Sequence, residues 1–86
     1  MKISIEDTRT GNRMKLDVKE HHVLESIIKI VVKHMGYINS EQRSYALVYK
    51  EKELPNSISI KEAIHKFGLQ EYDILMLWSK VIGGYY

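Results

Sequence analysis

The chain has 86 residues, 44% hydrophobic and 28% charged, which is enough for one packed domain and excludes a disordered polymer. It has no cysteine, which excludes a disulfide framework, a thiolate zinc site and a cysteine nucleophile. The net charge of +2 comes from interleaved basic and acidic residues, without the basic block or finger spacing of a nucleic-acid binder. No apolar run approaches the ~20 residues that cross a bilayer, and no signal peptide follows Met1. The expectation is a cytoplasmic domain, monomeric, with no membrane and no nucleic-acid partner.

Residues 1–5, MKISI, place Met1, Ile3 and Ile5 on one side and Lys2 and Ser4 on the other, the alternation of a half-buried strand. EDTRTGN is turn chemistry, with Gly11 and Asn12 suited to positive φ. RMKLDV alternates again through Met14, Leu16 and Val18, so the two runs predict an antiparallel hairpin. From His22 the period changes. Leu24, Ile27, Ile28, Val31 and Met35 recur at helical spacing, Glu25 and Lys29 form an i,i+4 pair, and Gly36 stops the helix.

YINSEQRS reads as a loop and YALVY, residues 45–49, as a short strand. KEKE is an exposed charged stretch, and LPNS turns the chain, with Pro55 lacking a backbone donor. Ser59 and Glu62 form the S-x-x-E pattern that opens a helix over IKEAIHKF, and Gly68 closes it. DILMLWSKV is the last strand, with Leu75 and Leu77 on one face and Met76 and Trp78 on the other. One amphipathic helix can cover only one face of a sheet. The predicted class is therefore α+β, a small mixed sheet of four to five strands with one main helix across one face and a second short helix.

These segments resemble the ubiquitin-like modifier family. The likeness runs from MKISI through LESIIKIVV, ALVYKEKEL and GLQEYDILMLW to the Gly83-Gly84 pair. It implies a β-grasp roll over residues 1–79 and an extended tail over 80–86. It also implies that Gly84, with Gly83 beside it, is the residue conjugated to target lysines. Glycine suits that role because a backbone without Cβ can thread a narrow enzyme cleft. Tyr85 and Tyr86 would block the Gly84 carboxylate, so the processing site is Gly84-Tyr85. The implied partners are an adenylating activating enzyme, a conjugating enzyme, a processing and deconjugating protease of the JAB metalloprotease type, and target proteins.

The family also uses an apolar patch on the sheet face away from the helix. By residue match that patch is Val48, Met76 and Trp78, and alternation independently turns Met76 and Trp78 away from Leu75 and Leu77. Lys52 lies where a chain-forming lysine occurs in the family. The family often carries arginines before its glycines. This chain has SKVIGG, with Lys80 alone, which points to a dedicated activating enzyme.

Nothing in the residues points to an enzyme or to a cofactor. His21 and His22 are adjacent, and His34 and His65 lack an i,i+4 histidine partner, so no metal site is expected. Two other functions stay open. One is a sulfur carrier activated at the glycines, which normally ends there. The other is a non-covalent adaptor of the same fold.

Overall fold

A computed structural model describes residues 1–36 and 43–81, with the side chains of residues 43, 80 and 81 left aside. The chain runs β1 (Lys2–Asp7), β2 (Arg13–Asp17), α1 (Leu24–His34), β3 (Arg43–Tyr49), β4 (Lys52–Leu54), α2 (Ile60–Phe67) and β5 (Ile74–Val81). This is a small α+β architecture with two helices and a five-stranded mixed sheet in the order β2-β1-β5-β3-β4. Among the described residues the only parallel pairing is between β1 and β5, which places the first and last strands side by side in the sheet.

The hairpin β1–β2 pairs Ile3 with Leu16 and Ile5 with Met14. The Val18 N–H donates to the Met1 carbonyl at 2.7 Å, and the Asp7 N–H to the Asn12 carbonyl at 2.8 Å. Counting in twos between those bonds, Met14 and Leu16 turn their backbone groups toward β1, while Arg13 and Lys15 turn theirs outward along the sheet edge. Val18 is buried but lies one residue beyond the strand. Asp7, on the same side of β1 as Ile3 and Ile5, is buried as well; its carboxylate accepts from the Arg9 N–H at 2.9 Å and so caps the turn.

Helix α1 buries Leu24, Ile27, Ile28, Val31 and Val32. Two adjacent pairs spaced one turn apart make a wide apolar stripe, broad enough to cover the inner side of the sheet. They meet Ile3, Ile5, Leu47, Leu75 and Leu77 in one core. The helix starts two residues later than the sequence suggests, because Val23 is its N-cap and makes no side-chain cap. Met35 is the C-cap and is half-buried, and Gly36 follows at φ +76°, a conformation that favours glycine. For α2 the Ser59 hydroxyl accepts from the Glu62 N–H at 3.2 Å, as its pattern predicts. The Glu62 carboxylate turns instead to Lys66 at 3.3 Å. Gly68 caps the helix at φ +79°.

The charged KEKE stretch holds more structure than its composition shows. Lys50 and Glu51 both have positive φ, at 48° and 69°, and form a two-residue hairpin turn. Lys52–Leu54 then pairs back on β3 as the edge strand β4, with Leu54 buried. At the other end, β5 runs to Val81, two residues past the predicted domain limit at 79.

The segment entering β5 is pinned by one buried side chain. Tyr49 donates its hydroxyl to the Asp73 carboxylate, and the Gly68 carbonyl lies 3.2 Å away. Asp73 also accepts from the Gln70 N–H at 2.8 Å. The bond to Asp73 raises the Tyr49 hydroxyl above its ordinary pKa, and burial adds to the shift. A raised value means that the neutral form belongs to the folded state. The stabilisation is therefore complete below the unfolded pKa of about 10 and is lost as pH rises through the folded value. Tyr49→Phe is expected to cost about 1–2 kcal/mol at neutral pH. It should also flatten the fall in stability above pH ~10. Urea denaturation at several pH values checks both, and parallel curves for the two proteins would contradict the assignment.

Candidate functional site

The face of the sheet away from α1 is built by the second half of each strand's alternation. Strand β5 sends Leu75 and Leu77 into the core and Ile74, Met76 and Trp78 to the open side. Strand register sets their neighbours. Met76 stands between Val48 of β3 and Glu6 of β1, Trp78 pairs with Ala46, and Ile74 pairs with Ser4. Val48, Met76 and Trp78 thus come together on this face. Val48 and Met76, directly opposite each other, are half-buried. Trp78 leaves 48% of its surface to solvent, and its small cross-strand partner Ala46 is buried.

Two members of this face escape the sequence reading. Ile74 is 39% exposed, and Tyr72, just before the strand, is 74% exposed. Carrying the alternation one step back from Met76 would have found Ile74. Tyr72 precedes the strand at φ +69°, where alternation makes no statement. The polar frame of the face is ordered as well. Arg13 reaches Glu6 from the adjacent strand, with its Nε at 3.1 Å and its terminal nitrogen at 2.7 Å from one carboxylate oxygen. An exposed, contiguous apolar patch framed by charge is the usual mark of an interaction surface.

Lys52 opens β4 with an exposed side chain that pairs with no carboxylate among the described residues. Gly83, Gly84, Tyr85 and Tyr86 lie outside the described residues. The chain is followed as far as Lys80, which pairs with Ser44, and Val81, which pairs with Arg43.

The histidines carry local structure. The His21 and His22 rings meet edge to face with centroids 4.7 Å apart, and His22 Nδ1 accepts from the Lys19 N–H at 3.1 Å. Among the described residues no group of histidines and carboxylates is arranged to hold a metal ion. No helix among them is long and apolar enough to cross a membrane. Every buried side-chain nitrogen and oxygen of the described residues has a hydrogen-bond partner.

No protein-family model matches the chain, and no curated protein matches its sequence.

Trp78 is the single tryptophan, so its fluorescence reports on this face alone. The free protein is expected to emit at long wavelength and to be quenched readily by iodide. Trp78→Ala should cost well under the about 3–5 kcal/mol of a core tryptophan, measured by urea denaturation. A blue-shifted emission that resists quenching would show the ring covered and remove the face as a binding surface.

Proposed function

We propose that the chain is the precursor of a ubiquitin-like protein modifier with a β-grasp fold, cut after Gly84 and then joined through the Gly84 carboxylate to lysines of target proteins. The observation that supports this best is the position of β5. That strand is bonded to β1 on one side and β3 on the other, and it is still paired at Val81. Gly83 and Gly84 come two and three residues later. A strand held from both sides fixes the origin of the tail, and glycines let an enzyme approach its backbone closely.

The chemistry follows from the carboxylate. Water, delivered by a processing protease expected to be a JAB-type metalloprotease, cleaves the Gly84–Tyr85 peptide bond and frees the Gly84 carboxylate and the Tyr85 amine. An adenylating enzyme joins that carboxylate to the AMP part of ATP with release of pyrophosphate. An enzyme cysteine then displaces AMP to form a thioester, which passes to a conjugating enzyme. The amine of a target lysine attacks the thioester carbonyl, and the thiol leaves as the isopeptide bond forms. The chain is a substrate throughout. Its open face, centred on Val48, Met76 and Trp78, is where these enzymes and later readers dock, and Lys52 is the acceptor if a second copy is added.

A second reading is a non-covalent adaptor, favoured by the fact that the described residues of β3 and β5 already bring Val48, Met76 and Trp78 together on one face.

Intact mass spectrometry of the protein expressed with its neighbouring genes separates the readings. The modifier reading expects a form ending at Gly84, together with lysine adducts through Gly84. Gly84→Ala should suppress both, because a methyl group then stands where the scissile bond and the thioester are approached. A Gly84 thiocarboxylate would move the reading to a sulfur carrier. Full-length protein alone, without adducts, would leave the adaptor.

A further inference from the structure

Helices α1 and α2 cap one another through the segments that precede them. The Leu24 and Glu25 N–H groups, at the start of α1, donate to the Ile58 and Asn56 carbonyls at 2.9 Å. The Ile60 and Lys61 N–H groups, at the start of α2, donate to the His22 and Glu20 carbonyls at 2.8 and 3.0 Å. The Glu62 N–H, next in line, goes to the Ser59 hydroxyl. The first N–H groups of a helix find no partner inside it, so α2 relies on the turn at residues 19–22 for two of these three bonds. A bridge between Val23 and Ser59 joins the two capping segments.

That turn is closed by two opposed bonds between the same residues. The His22 N–H donates to the Lys19 carbonyl at 3.0 Å, and the Lys19 N–H donates to His22 Nδ1 at 3.1 Å. A backbone N–H can only donate, so Nδ1 presents its lone pair and the proton of the neutral ring sits on Nε2. A second proton, placed on Nδ1, would turn this acceptor into a donor facing the Lys19 N–H. It would also put a positive charge beside the positive end of α2 and edge-to-face with the His21 ring, whose centroid is 4.7 Å away.

The charged groups around the turn do not favour one form strongly. On the turn itself Lys19 opposes a proton on the ring and Glu20 favours it. At the ends of the connection stand Asp17, which holds the Met1 amino group, and Glu25 of α1, which faces Lys29. Helix α2 brings Lys61, Glu62 and His65, with Glu62 turned to Lys66, and Glu71 lies across a shallow concavity from Lys19 and Glu20. Opposite signs are interleaved and solvent screens them, which leaves the lone pair on Nδ1 as the contact with a definite sign.

We infer that His22 is a proton-operated clasp: the neutral ring holds the 19–22 turn closed and α2 capped, and mild acid releases both. Folding keeps Nδ1 free of a proton, whereas an unfolded chain accepts one at about pH 6.5. The contribution of the clasp is therefore complete above that pH and is lost as pH falls below it. The device involves neither Gly84 nor the open face, so it stands apart from the modifier reading.

NMR of the full chain from about pH 8 to about pH 5 tests this. At the upper end the ring-nitrogen shifts of His22 should show the Nε2–H form, and the Lys19 amide should move in step with the His22 ring as it titrates. Hydrogen exchange at Ile60 and Lys61 should lose about three- to tenfold in protection relative to Leu75, the size expected for one hydrogen bond. His22→Asn offers an acceptor at the same reach that does not titrate, so it should remove this loss, while His21→Asn should leave most of it. An Nδ1–H ring, a Lys19 amide indifferent to pH, or an equal loss in the wild type and His22→Asn would each overturn the clasp. The first two need no variant, so they decide even if His22→Asn does not fold.

Discussion

The fold depends on β5 being held from both sides. Its parallel pairing to β1 and antiparallel pairing to β3 fix its register against two neighbours at once. A slip of one residue would send Leu75 and Leu77 to solvent and Met76 and Trp78 into the core. Leu75 and Leu77 are buried against the α1 stripe, and that burial makes the slip costly. The same constraint decides which residues reach the open side, so the core and the candidate surface are two consequences of one register. The Tyr49–Asp73 bond guards the entrance to this strand, and the pairing of Val81 guards its exit.

A sheet covered by one helix keeps an open face, and most of that face here is polar or charged. Lys2, Ser4, Glu6, Arg13, Lys15 and Asp17 occupy the outward positions of β1 and β2. The apolar residues are confined to β5 and β3. Such segregation is not needed for folding, since the outward side of β5 contributes little to the core and a polar residue would serve there. A tryptophan nearly half in solvent, with Ile74 exposed nearby in the same strand, is what the proposed partner surface would require.

Periodicity revealed the elements whose side chains take sides. The alternation of β1 and β5, the stripe of α1 and the Ser59 cap of α2 all appear in the structure, and with them the outward places of Met76 and Trp78. What stayed hidden has physical reasons. Strand β4 is three residues long and charged, and its turn uses Lys50 and Glu51 where a glycine would have announced it. Asp7 is buried because its carboxylate caps the turn at Arg9, a local bond that polarity alone would not suggest. The strand order, with first and last strands adjacent, is carried by long-range pairing and leaves no local pattern. Tyr72 was missed because its exposure follows from a backbone turn that precedes the strand.

The central claim is that β5 is the doubly bonded spine of the molecule, and residue-resolved hydrogen exchange tests it most directly. Amides of Leu75, Met76 and Leu77 are expected to exchange only through global unfolding, with free energies equal to that from urea denaturation. Arg13 and Lys15, whose N–H groups face outward from the edge strand β2, should exchange far faster than Met14 and Leu16 beside them. Rapid exchange at Leu75–Leu77, or protection at Arg13 and Lys15 as strong as at their neighbours, would contradict the strand order on which both the core and the open face rest.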